Sequence, residues 1–241
     1  MKKIAILQSN YIPWKGYFDM IRSVDEFILY DDMQYTRRDW RNRNLVKSPQ
    51  GLHWLTIPVE VKGKYDQKIK DTKVSNNSWA KDHWKTIKLF YSKTPHFKKY
   101  ERVFEKTYQE CESLELLSQV NFKWISLICG LLQISAKLSW SMDYELKEGK
   151  TERLIGLCQS AGATHYLSGP AAKDYIVPEL FHQAKIELSY MDYAGYAEYH
   201  QLYGPFEHSV SVIDLIFNEG SNAVNFLKSN GISFGKTESP L

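Results

Sequence analysis

Two adjacent carboxylates, Asp31 and Asp32, end an apolar run at 27–30, and Gln34 follows closely. Paired carboxylates in this place can hold Mg²⁺ against a diphosphate, or one of them can act as a base with a raised pKa. The alternative is a turn at the end of the strand, in which one aspartate caps the backbone, the other is solvated and neither has a catalytic role. We take Asp31, Asp32 and Gln34 as candidate catalytic residues, and either aspartate as the acceptor of a substrate proton.

An arginine-rich segment follows at 37–44, with four arginines in seven residues interleaved with tryptophan and asparagine. Arginine binds phosphate and carboxylate through two parallel hydrogen bonds, and asparagine binds amide and hydroxyl groups. The segment therefore predicts binding of a nucleotide diphosphate or an RNA backbone, with a solvated basic loop as the alternative. The candidate binding residues in this segment are Arg37, Arg38, Trp40, Asn42, Arg43 and Asn44.

Two further segments carry candidate binding residues. After an apolar run at 4–7, aromatic side chains can stack a base or a sugar, and a lysine beside a glycine can approach a diphosphate. A helix entry packed on a sheet is the alternative for this segment. The later turn Ser168-Gly169-Pro170 can lie over phosphates, or can be an ordinary strand-to-helix turn. The candidates are Gln8, Tyr11, Trp14, Lys15, Gly16, Ser168, Gly169 and Lys173.

These segments depend on the elements around them for their positions. The apolar run 4–7, a helix starting at Pro13 and the apolar run 27–30 predict a strand, a helix and a strand. Ligands of open parallel sheets bind at the carboxyl ends of the strands. We therefore expect the segments 8–15 and 31–44 to face one crevice.

The rest of the chain alternates strands and helices, which predicts a single α/β domain over 1–241 with a Rossmann-like, mainly parallel sheet. A helical region at about 78–132 is expected as an insertion in the middle of the chain. We also predict a basic turn at 45–51, an edge strand at 54–59, a hairpin within 61–74 and a loose tail from Gly231 onward.

The whole-chain composition is that of a soluble globular protein, with 43% apolar and 24% charged residues. A net charge of +3 is too small to imply nucleic acid. The three cysteines lack metal-ligand spacing, which favours buried reduced thiols, and the seven histidines form no zinc motif, so no metal site is predicted. No apolar run reaches the roughly 18 residues of a membrane span, and the first eight residues lack the features of a signal peptide. We therefore expect a cytoplasmic protein without membrane insertion.

Several motifs together resemble the WbqC-like protein family, in order and over nearly the whole chain. This resemblance implies a cytoplasmic bacterial protein whose relatives lie among genes for O-antigen (lipopolysaccharide) and other surface polysaccharides. The motifs are Gln8-x-x-Tyr11-x-Pro13-Trp14-x-Gly16-Tyr17, Asp31-Asp32-x-Gln34-Tyr35, Trp40-x-Asn42-Arg43-Asn44, Tyr166-Leu167-Ser168-Gly169 and Ser211-Val212-Ile213-Asp214-Leu215.

A weaker resemblance concerns the layout around Pro13-Trp14-Lys15-Gly16-Tyr17, which is similar to the HxGH nucleotidyltransferases and to pantothenate synthetase. Those enzymes use ATP, and the synthetase then forms an amide. Here Trp14 and Tyr17 stand where that family has its two histidines. This departure argues against activation by ATP, although ATP with Mg²⁺ is kept as a candidate cofactor. The turn can instead hold the diphosphate of a nucleotide sugar.

These resemblances predict an enzyme of surface-polysaccharide synthesis. It would bind a nucleotide-activated amino sugar and join an acyl or aminoacyl group from a donor to the sugar amine. In this prediction the phosphates would be held by Arg37, Arg38, Arg43 and Lys15, and Trp14 or Trp40 would stack the base. Two alternatives remain: a non-catalytic factor that binds a glycan or nucleotide sugar, and an aminoacyl transferase that uses charged tRNA.

Overall fold

The computed structural model describes residues 1–229, so the tail predicted from Gly231 lies outside the described residues. These residues form seven strands, five of them in one parallel sheet and two in an antiparallel hairpin. In chain order the strands are β1 (Lys3–Leu7), β2 (Glu26–Leu29), β3 (Arg43–Ser48), β4 (Gly51–Thr56), β5 (Lys137–Trp140), β6 (His165–Ser168) and β7 (Glu187–Tyr190).

The parallel sheet has the order β5-β2-β1-β6-β7, which confirms the predicted Rossmann-like α/β class. The sequences of its central strands are short apolar runs because helices cover both faces of these strands. Ile4 and Ile28 face a smaller apolar cluster, whereas Ala5 and Phe27 face a larger one. Two layers of helices therefore enclose one sheet.

Seven α-helices surround the sheet within the described residues. Three of them lie in the predicted helical region, at Ser78–Tyr91, Phe97–Cys111 and Leu117–Leu131, and each buries one aromatic-rich face in the larger cluster. All three cysteines are buried and free, as predicted. The helices are α1 (Lys15–Arg22), α2 (Ser78–Tyr91), α3 (Phe97–Cys111), α4 (Leu117–Leu131), α5 (Lys150–Ser160), α6 (Pro178–Gln183) and α7 (Val212–Glu219).

Three local predictions were wrong. Most of the segment 45–51 is strand β3, which pairs antiparallel with β4 because Gly51, at φ +110°, closes a tight turn. The predicted hairpin within 61–74 does not form, because Lys68, Lys73 and Val74 make isolated bridges to residues outside the segment and Ile69–Asp71 is a 3₁₀ turn. The first helix begins at Lys15 rather than Pro13.

A long segment without regular structure joins β7 to α7 and packs against α1. Tyr196 donates from its hydroxyl to Asp19 Oδ2 at 2.6 Å, and Tyr199 donates to Asp214 Oδ1 at 2.8 Å. Both aspartates are buried, so this segment belongs to the folded core. Over residues 1–229, no helix has the length and apolar character needed to cross a membrane.

Candidate functional site

The loops that follow β1 and β2 meet, as the sequence predicted. The backbone N–H of Ser9 donates to Asp31 Oδ1 at 2.9 Å, and the N–H of Tyr11 donates to the carbonyl oxygen of Trp40 at 3.0 Å. Asn121, from α4, donates to Ser9 Oγ at 3.0 Å. The two polar segments are thus joined directly to each other and to the helical layer.

Asp31 is completely buried at this junction. Burial raises its pKa, and the hydrogen bond from Ser9 and the nearby Arg41 only partly oppose that effect. Among the described residues, its Oδ2 has no hydrogen-bond partner. A base that takes a proton from a substrate must reach that substrate. The enclosed position of Asp31 instead suits a residue that fixes the two loops.

Asp32 lies in a different environment. Burial opposes its ionisation, but hydrogen bonds from Lys70 and Ser141 outweigh burial and lower the pKa of Asp32. Lys70 Nζ lies 2.6 Å from Oδ1, and Ser141 Oγ lies 2.8 Å from Oδ2. A carboxylate held in this way is a weak base, so the geometry does not support Asp32 as a proton acceptor. Within 1–229 no group of three or more His, Cys, Asp or Glu side chains could hold a metal.

Gln34 is exposed and donates from Nε2 to the carbonyl oxygen of Tyr65 at 2.9 Å. This bond connects the loop after β2 to the irregular segment before the 3₁₀ turn. The three residues predicted to be catalytic therefore do not converge on one substrate position.

The arginine-rich segment divides into a surface part and a structural part. Arg37 and Arg38 are exposed, and the guanidinium carbon of Arg43 lies 4.1 Å from the ring centroid of Trp54. Asn42 and Asn44 are buried. Their side-chain amides donate to backbone carbonyls, at 2.8 Å to Ile57 and at 3.0 Å to both Tyr11 and Ile12. The asparagines thus shape the backbone, whereas Arg37 and Arg38 remain at the surface.

Tyr11 does not form the predicted stacking surface because it is fully buried. Its hydroxyl lies 2.8 Å from His83 Nδ1 and 2.8 Å from the hydroxyl of Tyr108. Burial lowers the pKa of His83 to about 4, so this imidazole is neutral at pH 7. The three side chains form a polar connection between the β1 loop and helices α2 and α3.

Lys15 does not reach the surface either, and is only 2% exposed. Its Nζ donates to the carbonyl oxygen of Ala197 at 2.9 Å and lies 5.1 to 5.8 Å from three ring centroids. The rings belong to Tyr196, Tyr199 and Phe206, and we call this arrangement the lysine cage. Burial lowers the pKa of Lys15 to about 8. The caged ammonium stabilises the segment before α7 and is not available to hold a phosphate.

Gly16 has a steric role. A Cβ atom at this position would lie 2.3 Å from Cζ2 of Trp14, so the indole packs directly over the glycine backbone. Tyr193 and Tyr196 pack on the indole with ring centroids 5.2 and 5.7 Å away. Gly16 is therefore needed for the position of Trp14.

A cavity of about 550 Å³ lies at the carboxyl ends of the strands, and we call it the sheet-edge pocket. It lies beside the ends of β1, β2 and β6, at the point where the chain order of the strands reverses between β1 and β6. Open α/β sheets bind ligands at such switch points. The pocket is lined by Ile6, Leu7, Gln8, Tyr30, Met33, Gly149, Lys150, Arg153, Leu154, Tyr166 and Tyr175.

Two cations in the first turn of α5, Lys150 and Arg153, give the sheet-edge pocket its charge. Gly149 is the N-cap residue, and as a glycine it has no side chain that could cap the helix start. The free N–H groups of a helix start favour anions. Glu152 supplies one negative charge beside Gly149 and partly offsets this preference.

Three tyrosines provide further polar groups in the pocket. Burial raises the pKa values of Tyr30, Tyr166 and Tyr175, so their hydroxyls stay protonated at neutral pH. Arg153 lies close enough to Tyr30 to oppose part of that rise. Protonated phenols both donate and accept hydrogen bonds, and their rings offer apolar surface.

Sequence reasoning identified Gln8 in this pocket but missed Lys150, Arg153, Tyr30 and Tyr175. The sequence did contain one signal for the two cations. Positive side chains in the first turn of a helix interact unfavourably with the helix dipole, so their presence there suggests a functional reason. Tyr30 ends the apolar run 27–30 and carries no comparable signal.

The turn after β6 lies close to the pocket without lining it. Ser168 is buried and donates to the hydroxyl of Tyr166 at 3.3 Å, and Gly169 precedes a 3₁₀ turn at Pro170–Asp174. Lys173 Nζ lies 5.1 Å from the ring centroid of Tyr190. Ser168 therefore acts on the pocket through Tyr166.

A second cavity, of about 200 Å³, brings together three of the predicted binding residues. We call it the indole cavity. It is lined by Asn10, Pro13, Trp14, Trp40, Asn44 and Ser209.

The order of these motifs along the chain agrees with a known family, because a model of the WbqC-like protein family matches residues 8–226. The chain belongs to the WbqC-like protein family. This WbqC-like protein is 51% identical over 228 residues to the uncharacterized protein Rv1507c of Mycobacterium tuberculosis. The match covers 95% of this chain and 98% of that relative. No solved structure matches the chain.

Proposed function

We propose that this WbqC-like protein binds a nucleotide-activated amino sugar in the sheet-edge pocket. The observation that carries the proposal is the position of Lys150 and Arg153 at the start of α5, on the wall of a cavity of about 550 Å³ at the sheet's switch point. Pockets for ligands of this size commonly measure roughly 300–1,000 Å³.

The chemistry of the pocket suits the parts of such a ligand. The diphosphate would lie against the first turn of α5, where Arg153 and Lys150 offset its charge. The rings of Tyr30 and Tyr175 offer surfaces for the base or the sugar, and their hydroxyls can bind sugar hydroxyls. Gln8 adds an amide at the end of β1.

The proposed reaction is amide formation in surface-polysaccharide synthesis, which the resemblance to the WbqC-like family supports. The sugar amine attacks the acyl carbon of an activated donor, and a C–N bond forms. The bond from the acyl carbon to its leaving group breaks with the electron pair on that group, and the amine proton passes to solvent or to the leaving group. Positioning of amine and donor would provide most of the rate.

A non-catalytic role is the second candidate, and one observation favours it. The side chains that line the sheet-edge pocket include no aspartate, glutamate or histidine. A pocket without such a base can bind a nucleotide sugar for a partner enzyme without changing it.

Thermal unfolding with a ligand panel tests the binding. The panel contains UDP, dTDP, their amino sugars, ATP and acetyl-CoA, each with and without Mg²⁺. A ligand that binds the native state raises the midpoint by mass action. We expect a nucleotide amino sugar to raise it, Arg153→Gln to weaken binding about tenfold, and Lys173→Gln, outside the pocket, to retain it. The proposal is refuted if no ligand of the panel raises the unfolding midpoint, or if Arg153→Gln binds the nucleotide amino sugar as tightly as the wild type does.

Mass spectrometry then separates the two candidates. The protein is incubated with the bound nucleotide amino sugar and a set of acyl and aminoacyl donors, with ATP. A mass gain that matches an added acyl group supports catalysis, whereas binding without any mass gain favours the non-catalytic role.

A further inference from the structure

The geometry points to a second binding site, the indole cavity, which takes one uncharged sugar ring. This site is independent of the proposed function, because none of its six lining residues also lines the sheet-edge pocket. The ring can belong to a free glycoside or to one residue of a glycan, because both present the same chemistry.

Size and lining select this class of ligand. At about 200 Å³ the cavity lies below the roughly 300 Å³ at which pockets for drug-sized ligands begin, which favours a single ring over a nucleotide. Its walls combine two indoles with the polar side chains of Asn10 and Ser209 and include no charged group, while the amide of Asn44 is bound to the backbone. Sugar rings present C–H faces that pack on indoles and hydroxyls that pair with amides and hydroxyls.

The wall that carries Trp14 is held in place before any ligand arrives. Ile12 has a φ of 35°, a strained conformation for a β-branched residue. The backbone stays there because Asn44 donates to the carbonyls of Tyr11 and Ile12, and Ser211 Oγ donates to Ile12 at 2.7 Å. A wall fixed in advance loses little entropy on binding.

Another lining residue, Trp40, extends from the cavity to the solvent. Trp40 is 40% exposed and lies 5.5 Å, centroid to centroid, from Trp54, which is 41% exposed. Trp54 lies outside the cavity. A second sugar residue of a glycan can contact the pair formed by Trp54 and the guanidinium of Arg43 when the first occupies the cavity.

Fluorine NMR of the protein labelled with 5-fluorotryptophan tests the site. The probes are neutral methyl glycosides of several hexoses at millimolar concentrations, where weak binding becomes visible. We expect the signals of Trp14 and Trp40 to shift with one or more glycosides, and the signal of the fully buried Trp124 to stay unchanged. If no glycoside shifts Trp14 or Trp40, the inference is wrong.

Two matched variants localise the binding. Trp40→Ala should weaken glycoside binding by at least about tenfold, whereas Trp54→Ala, equally exposed but outside the cavity, should change it by less than about threefold. Equal loss in both variants, or tighter binding of UMP than of every glycoside in the cavity, would overturn the inference.

Two further comparisons complete the test. Arg153→Gln should retain glycoside binding, so failure of the nucleotide-sugar proposal and failure of this inference give different results. A neutral oligosaccharide that binds more tightly than its monomer identifies a glycan as the source of the ring, and equal affinity identifies a free sugar. Both of these outcomes support the site.

Discussion

Glu26 on β2 accepts a hydrogen bond from Ser139 Oγ on the neighbouring edge strand β5, at 2.6 Å. The same carboxylate binds Lys2 Nζ at 2.7 Å and Lys137 Nζ at 3.0 Å, and its side chain is buried. Burial opposes ionisation of Glu26, but the hydrogen bonds from Lys2, Ser139, Tyr144 and Lys137 outweigh it and lower its pKa to about 2. One carboxylate therefore joins the N-terminal strand region to the edge of the sheet.

Glu26→Gln should reduce stability most at neutral pH. Because the pKa of Glu26 is lower in the folded state than in the unfolded state, its ionised carboxylate stabilises the folded protein. This stabilisation is complete above the unfolded pKa of about 4.3 and is lost as the pH falls towards about 2. We expect a loss of about 2–3 kcal/mol at pH 7 that shrinks below pH ~4, measured by urea unfolding at several pH values. The exposed Glu145→Gln serves as control and should change stability by less than about 0.5 kcal/mol. A difference that does not depend on pH would contradict the assignment.

Lys15→Met should alter the alkaline limb of the stability curve. Burial lowers the pKa of Lys15 to about 8, below the unfolded value of about 10.4. The folded state thus loses its proton first, so wild-type stability should rise relative to the variant by about 2–3 kcal/mol between pH ~8 and ~10.4. The exposed Lys81→Met tests whether loss of one positive charge alone has this effect. Parallel curves for wild type and Lys15→Met would show that the lysine cage does not perturb the ammonium.

Gly16→Ala should destabilise the protein and disturb the indole cavity. The new Cβ would overlap Trp14, and overpacking of this kind costs about 1–3 kcal/mol. Gly130→Ala is the matched control, because Gly130 lies in α4 and an added Cβ meets no atom within 4 Å. It should stabilise the protein by about 0.5–1 kcal/mol in thermal or urea unfolding. A neutral Gly16→Ala variant would mean that the indole moves aside freely.

Tyr11→Phe should affect stability without affecting ligand binding. It leaves His83 Nδ1 and the hydroxyl of Tyr108 without their shared partner, at a cost of about 1–3 kcal/mol. Tyr65→Phe, at an 84% exposed position, should be neutral. The shift of the unfolding midpoint with a nucleotide amino sugar should persist in Tyr11→Phe. If the variant folds but the ligand no longer shifts its unfolding midpoint, Tyr11 takes part in ligand binding.

The sheet and most helices could be predicted because their signals are local. The runs 4–7 and 27–30 are apolar between polar breaks, and Phe97–Cys111 shows its buried face at helical spacing. Strand β3 gave no such signal, since Lys47 and Ser48 are polar. It is a strand because Val46 is buried and the Tyr91 hydroxyl accepts from the N–H of Lys47, a contact distant in sequence.

The site was predicted in part for the same reason. Joining of the loops after β1 and β2 follows from parallel strand order, which the sequence indicates. The rings that enclose Lys15 come from residues 196–206, far along the chain, and no local pattern predicts that contact. Lys150 and Arg153 reach the end of β1 only through the placement of β6 beside it, which the sequence does not specify.

The central position of β1 also constrains how the chain folds during synthesis. On one side Ile4 pairs with Glu26, which is close in sequence, so this pairing can form early. On the other side Ile4 pairs with Tyr166, which the ribosome adds much later. Until β6 emerges, one edge of a strongly apolar strand stays open to other chains. The growing polypeptide therefore needs protection over most of its synthesis, and a chain that stops before His165 should aggregate.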